Sequence, residues 1–256
     1  MHSFLRSKPL LVKMINYKEV HEELKRYAVT EKAAFYPRFF KTGKGEYGEG
    51  DVFMGVTVPN QRVVAKKYHK DCDEKVITQL LDAEFHEDRL TGLYILTHKF
   101  NEAKKNHEEK KWVDLYLKKI DRVNNWDLVD STAYLILGPW LENKDKKILY
   151  DLAKENHLWK NRIAVVTTLY FIRKGDFTDL LKLSEIFMHH PHDLMHKAVG
   201  WMLREAWKRK PAPIETFLNK HAHEMPRTML RYSIEKMDER ERKDFMNKKN
   251  EVNASR

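Results

Sequence analysis

The chain of 256 residues contains one cysteine, Cys72, so no internal disulfide framework can staple it, and a reducing compartment is expected. Nine glycines and eight prolines are too few for a loop-rich or disordered chain. No apolar run approaches the ~20 residues that a membrane span needs, which excludes a helical membrane protein. The run Pro9-Leu10-Leu11-Val12 is too short for the core of a signal peptide and lacks a small-residue cleavage site. Alternating strand patterns with turn chemistry are absent too, which argues against a sheet. A cytoplasmic, membrane-free protein is expected.

What remains is helical. Leu, Lys, Glu, Ala and Met recur throughout, and 42% hydrophobic residues suffice for a large core. Helix-period patterns predict segments near 17–28, 30–41, 58–69, 74–84, 87–104, 108–122, 126–142, 145–156, 159–173, 177–189, 193–209, 213–222, 226–237 and 238–248. Pro59, Pro213 and Pro226 stand where first-turn prolines belong, and Pro191 and Pro211 in connections.

Corresponding positions recur along the chain. Arg89, Val129, Arg162, Lys197 and Arg231 fall at one slot of successive segments, spaced by 40, 33, 35 and 34 residues. That is the length of a two-helix repeat. The expected fold is all-α, an α-α superhelix of HEAT-like repeats forming one domain over 1–256. Its repeat core spans 50–240, with N-terminal helices over 15–45 and a basic tail over 239–256.

The formal charge of +10 suggests a polyanionic partner, most simply nucleic acid. Solubility alone would also account for it, so position has to decide. If the slot helices line a groove, Arg89, Arg162, Lys197 and Arg231 form a basic ladder interrupted near Asp130. Trp126 and Asp130 stand at i and i+4 and share a helix face. An aromatic face beside an anion suits a positively charged reacting centre. Asp127 has a structural reason to exist, because Asn124 can cap this helix and place Asp127 in its first turn. Asp130 lies beyond the first turn. Trp201 is ringed by Lys197, Arg204 and Lys208, a stripe suited to phosphates around a packing surface. Trp159 can present together with Arg162. Trp112, Trp140 and Trp207 read as core.

Other motifs carry less. Gly43-Lys44-Gly45-Glu46-Tyr47-Gly48 matches G-x-G-x-x-G, but a helix precedes it and Glu46, Glu49 and Asp51 would repel a pyrophosphate, so it is a loop. His189, His190, His192 and His196 lack a third protein ligand at a recognised zinc spacing and read as solvated helix-end residues. Cys72, flanked by Asp71 and Asp73, is a poor nucleophile. No metal and no cofactor is expected.

Trp126-Asp127-Leu128-Val129-Asp130-Ser131, then Leu158-Trp159-Lys160-Asn161-Arg162, then Lys197-Ala198-Val199-Gly200-Trp201-Met202-Leu203-Arg204-Glu205 together resemble the AlkD-like DNA alkylation repair family. Phe53-Met54-Gly55-Val56-Thr57-Val58-Pro59 before a basic helix is similar to that family's early region. The likeness covers roughly residues 50–240, and the Gly43–Gly50 loop is longer than the family's shortest form. It implies a HEAT-like-repeat DNA glycosylase that releases N3- and N7-alkylated purines from double-stranded DNA. It further implies a catalytic cleft of Trp126, Asp130 and Trp201, with Arg162 supporting it at the DNA backbone and the lesion left stacked. A monomer is expected, with Lys197, Arg204, Arg89, Arg231 and Lys208 as further DNA contacts. The rival reading is a non-catalytic solenoid that binds DNA, distorted or branched DNA included, or another polyanion. Asp130 separates the two, since a pure phosphate binder gains nothing from a carboxylate in its groove.

Overall fold

The computed structural model describes residues 15–254, with side chains to 248; the Pro9–Val12 run lies outside them. Among the described residues the fold is all-α, and the one β-like pairing is an isolated bridge between Val52 and Phe85. Fourteen α-helices appear, and each coincides with one of the fourteen segments expected from periodicity. No described helix is long and apolar enough to cross a membrane. The chain divides into two compact units that meet in sequence at Asn106 and His107. The boundary falls in the polar link after a 19-residue helix, where His107 takes a positive φ of 59°.

The first unit holds α1 (Tyr17–Lys25), α2 (Thr30–Phe39), α3 (Val58–Tyr68), α4 (Glu74–Asp82) and α5 (His86–Lys104). The helix α1 starts at a capping box, with the Asn16 side chain and Glu19 each satisfying the other's backbone N–H. The helix α5 is the hub: α1, α3 and α4 all pack on it, and Leu90, Leu93, Ile95, Leu96 and Phe100 are buried. Its first turn also anchors the preceding loop. The buried Glu87 carboxylate accepts from the backbone N–H groups of Met54, Gly55 and Val56, at 3.0, 2.8 and 3.1 Å. Gly55 is required there: its φ is 86°, and a Cβ would lie 2.2 Å from the Val29 carbonyl oxygen. The 53–59 segment is thus a structural anchor.

The second unit holds α6 (Lys110–Lys118), a 3₁₀ turn (Ile120–Arg122), α7 (Trp126–Trp140), α8 (Lys147–Lys154), α9 (Leu158–Arg173), α10 (Thr178–Ile186), α11 (Asp193–Arg209), α12 (Pro211–His221), α13 (Arg227–Ser233) and α14 (Glu239–Ala254). The slot helices α7, α9, α11 and α13 pack consecutively as one layer, while α8, α10 and α12 back them. That is the paired-helix stacking the repeat spacing predicts. Pro211 opens α12 and does not sit in a connection, which suits a residue with fixed φ and no N–H to lose. The expected tail from 239 is the helix α14, and α13 is shorter than the 226–237 pattern because the chain turns after Ser233.

Two glycines set the spacing of the slot layer. A Cβ on Gly138 of α7 would stand 2.3 Å from Tyr170 Cβ on α9. A Cβ on Gly200 of α11 would stand 2.5 Å from Tyr232 Cβ and 2.6 Å from the Met229 carbonyl oxygen on α13. The second contact is with backbone, so it cannot be relieved by a rotamer. Gly200→Ala is therefore expected to lower stability by the ~1–3 kcal/mol typical of overpacking, read as a lower urea midpoint. An unchanged midpoint would mean that α13 is free to slide.

Candidate active-site cleft and the placement of its residues

The helix α7 begins at Asn125, whose side chain accepts from the Trp126 N–H at 2.9 Å; Asn125, and not the expected Asn124, is the cap. Asp127 lies in the first turn, buried, with Oδ1 accepting from the Leu128 N–H at 2.9 Å. Its local role is therefore the structural one expected. Trp126 and Asp130 follow on the face turned to α9 and α11. They line an open concavity of about 360 Å³ together with Arg162, Leu194, Lys197, Trp201, Arg204 and Tyr232. The three residues expected to form a catalytic cleft, Trp126, Asp130 and Trp201, thus line one hollow. They come from two helices that are not sequence neighbours.

Asp130 is held by a two-pronged ion pair. Arg162 donates from Nε to Oδ1 at 2.8 Å and from Nη2 to Oδ2 at 2.7 Å. Its third nitrogen, Nη1, donates to the Leu194 carbonyl at 2.5 Å. One guanidinium on α9 therefore ties the carboxylate of α7 to the first turn of α11. The Asp130 side chain keeps 18% of its surface open and that of Arg162 6%. Each carboxylate oxygen accepts one N–H here and retains further lone pairs. Burial pushes the Asp130 carboxyl above the usual carboxylate range; the Arg162 cation opposes that shift, and nearby Asp127 adds to it.

This pairing corrects the expectation for Arg162. Its guanidinium is buried and engaged, so it is not a free rung for a phosphate but the positioning group of the carboxylate. Arg162→Ala would strand a largely buried anion, a change that in buried pairs costs ~3–5 kcal/mol, less where water reaches one partner. A clear loss of melting temperature is expected, and Arg162→Lys should restore little of it, because an ammonium cannot reproduce the fork. Native melting in Arg162→Ala would show that the pair holds nothing together.

The other expected contacts sort by place. Arg89 belongs to the first unit and is buried, its guanidinium held by Asp51 and by the carbonyl oxygens of Ala83 and Glu84. It is no surface cation, and the ladder loses that rung for the same reason as at Arg162. Lys197 lines the cleft and pairs with Asp193 at 2.8 Å. Arg204 also lines it and is paired to Glu235. Lys208 is exposed outside the cleft lining and pairs with Glu205 at 2.6 Å. Arg231 is exposed and lines a neighbouring hollow.

Trp159 is buried and does not line the cleft. Trp112 is core as expected, whereas Trp140 and Trp207 are partly exposed, the first under Lys144 and the second donating to Glu215 at 3.0 Å. Sequence reasoning missed Leu194 and Tyr232 as cleft residues. Tyr232 follows Arg231 as Asp130 follows Val129, so the repeat carried a signal for it.

The remaining motifs are structural. Glu46 and Glu49 turn inward and accept from the Gly43 and Gly45 N–H groups, at 2.9 and 2.8 Å, which occupies the amides a phosphate would need. His192 caps α11 by accepting from the Leu194 N–H at 3.1 Å, and His196 Nε2 binds the His190 carbonyl at 2.6 Å. Burial pushes the Cys72 thiol up to about 11, with Asp71 and Asp73 adding to the shift.

The DNA alkylation repair enzyme family matches residues 20–237, a span that takes in both units and every cleft residue. The chain belongs to that family. No curated protein matches the chain. Among solved structures, a predicted DNA alkylation repair enzyme from Enterococcus faecalis is similar, with a TM-score of 0.60 at 17% identity, over 82% of this chain and 96% of that one. At that identity the likeness speaks for the fold alone. For a DNA alkylation repair enzyme, the cleft in the second unit holds an acid, two indoles and a basic rim.

Proposed function

We propose that this DNA alkylation repair enzyme is a DNA glycosylase that hydrolyses the N-glycosidic bond of cationic N3- and N7-alkylated purines in double-stranded DNA. The observation that supports it most is the partly open Asp130 carboxylate in one hollow with Trp126 and Trp201, on an otherwise basic chain. Cleavage of a glycosidic bond passes through an oxocarbenium-like sugar, and two acidic groups usually share the work. An alkylated purine that already carries positive charge leaves as a neutral base, so no proton donor is needed for departure. One carboxylate then suffices.

In this reading Asp130 stabilises the developing sugar cation and orients the attacking water. The indoles of Trp126 and Trp201 pack on the deoxyribose and add cation–π attraction. Arg162 acts through Asp130, fixing the carboxylate's plane and favouring its ionised form despite burial. The cleft is open and shallow, which suits approach from the sugar side more than a closed pocket around an extruded base.

A non-catalytic DNA binder remains the second reading, because the Asp130–Arg162 pair also cross-links three helices and could be retained for that alone. Incubating the protein with duplex DNA containing 7-methylguanine and measuring the free base separates the two. Release above the spontaneous rate is expected; binding with no release would leave the scaffold reading standing.

A further inference from the structure

Among the described residues, three arginines of the second unit with no ion-pair partner share one hollow beside the cleft. A hollow of about 610 Å³, larger than the cleft, is lined by Arg227 and Arg231 of α13 and Arg242 of α14, with Tyr232 and Glu235. Tyr232 also lines the cleft, so the two hollows adjoin. The contrast in pairing is sharp. Lys197, Arg204 and Lys208 each hold an acid. Among the described residues Arg227, Arg231 and Arg242 are exposed, and no carboxylate lies within ion-pair reach of any of the three. The one acid in the hollow, Glu235, is already engaged by Arg204 and Lys236. Three guanidinium groups around one concavity repel one another and gain nothing for the fold. An anion with several acceptor oxygens would relieve that repulsion, and the planar fork of arginine matches phosphate oxygens.

We propose that this hollow is a second phosphate site, which takes backbone phosphodiesters of the DNA strand whose lesion lies in the cleft. The proposal rests on the functional reading above and extends it to α14, which supplies Arg242. Arg227 and Arg231 stand one helical turn apart on α13 and face the same hollow, so the strand runs along α13 after passing Tyr232. Arg204 then stands between the two hollows: its ion pair with Glu235 gives it a partner on the phosphate side while it lines the cleft.

The test measures binding of a lesion-free duplex by fluorescence anisotropy over a range of salt concentrations. Each phosphate neutralised contributes ~0.9 to the slope of log K against log salt, so R227Q/R242Q should flatten the slope by about 1.8. R227K/R242K should keep most of the wild-type slope, since charge and not fork geometry sets this term. Both side chains are exposed and, among the described residues, hold no ion-pair partner, so helix content by circular dichroism should not change and would reveal a folding fault. An unchanged slope in R227Q/R242Q, with the wild type binding normally, overturns the phosphate site and leaves the glycosylase reading intact. No DNA binding by the wild type overturns both. Titration with inorganic phosphate at constant ionic strength covers the remaining source of the same chemistry. Micromolar binding of the free ion would make the hollow a small-anion site and overturn its assignment to a strand.

Discussion

Asp130→Asn is expected to slow release of 7-methylguanine by ~10²–10³-fold, the usual cost of removing one preorganised electrostatic contact from a transition state. The amide keeps the shape of the carboxylate and removes the charge proposed to face the sugar. DNA binding should fall little or tighten, because the substitution leaves Arg162 positive beneath the groove proposed to receive phosphates. The effect on folding separates this from a structural role: Asn still accepts from one arm of the fork, so melting should fall less than in Arg162→Ala. The pH profile offers a second reading of the same group. The proposed reaction uses the ionised form, and burial raises this carboxyl. Activity should therefore be lost, as pH falls, at a point above the ~3.9 of an ordinary aspartate. Native release by Asp130→Asn, with release lost in Asp127→Asn, would reverse the assignment of acid and helix-start residue.

The second large effect concerns the charge of the base. With no proton donor assigned in the cleft, release should follow how well the base leaves unaided. Cationic 7-methylguanine and 3-methyladenine should be excised in single-turnover assays on matched duplexes. Neutral 1,N6-ethenoadenine and 8-oxoguanine should be released no faster than without protein. A site that flips and encloses the base would select by its edge and could supply its own acid. Efficient excision of either neutral lesion would require a donor other than Asp130, and Tyr232, which carries the hydroxyl nearest in kind, would be the first substitution to make.

Helices were readable in the chain because apolar residues recur at helical spacing and few glycines or prolines interrupt them. The slot at 129, 162, 197 and 231 led correctly to four helices that pack side by side. What it could not supply was the direction of each side chain. Arg89 and Arg162 occupy the same slot as Lys197 and Arg231, yet both are buried while Arg231 is exposed. The difference lies in partners 32 and 38 residues away, Asp130 and Asp51, which pull each guanidinium inward. A count of positive residues treats these arginines alike; only the tertiary neighbours distinguish a rung from a brace. For the same reason nothing in the sequence singles out Arg227 and Arg242, since no local signal marks a cation whose significance is the absence of an acid beside it.

The fork from Arg162 to Asp130 and Leu194 has a consequence for descent. Positions 130 and 162 cannot drift independently. A lineage that loses the carboxylate first inherits a bare guanidinium under the groove, and with it a firmer hold on polyanions. One that loses the arginine first inherits a stranded acid and a loosened α11. On the glycosylase reading proposed above, the first path leads from a cutter to a clamp and the second to an unstable chain, so non-cleaving descendants should more often keep arginine at 162 than aspartate at 130.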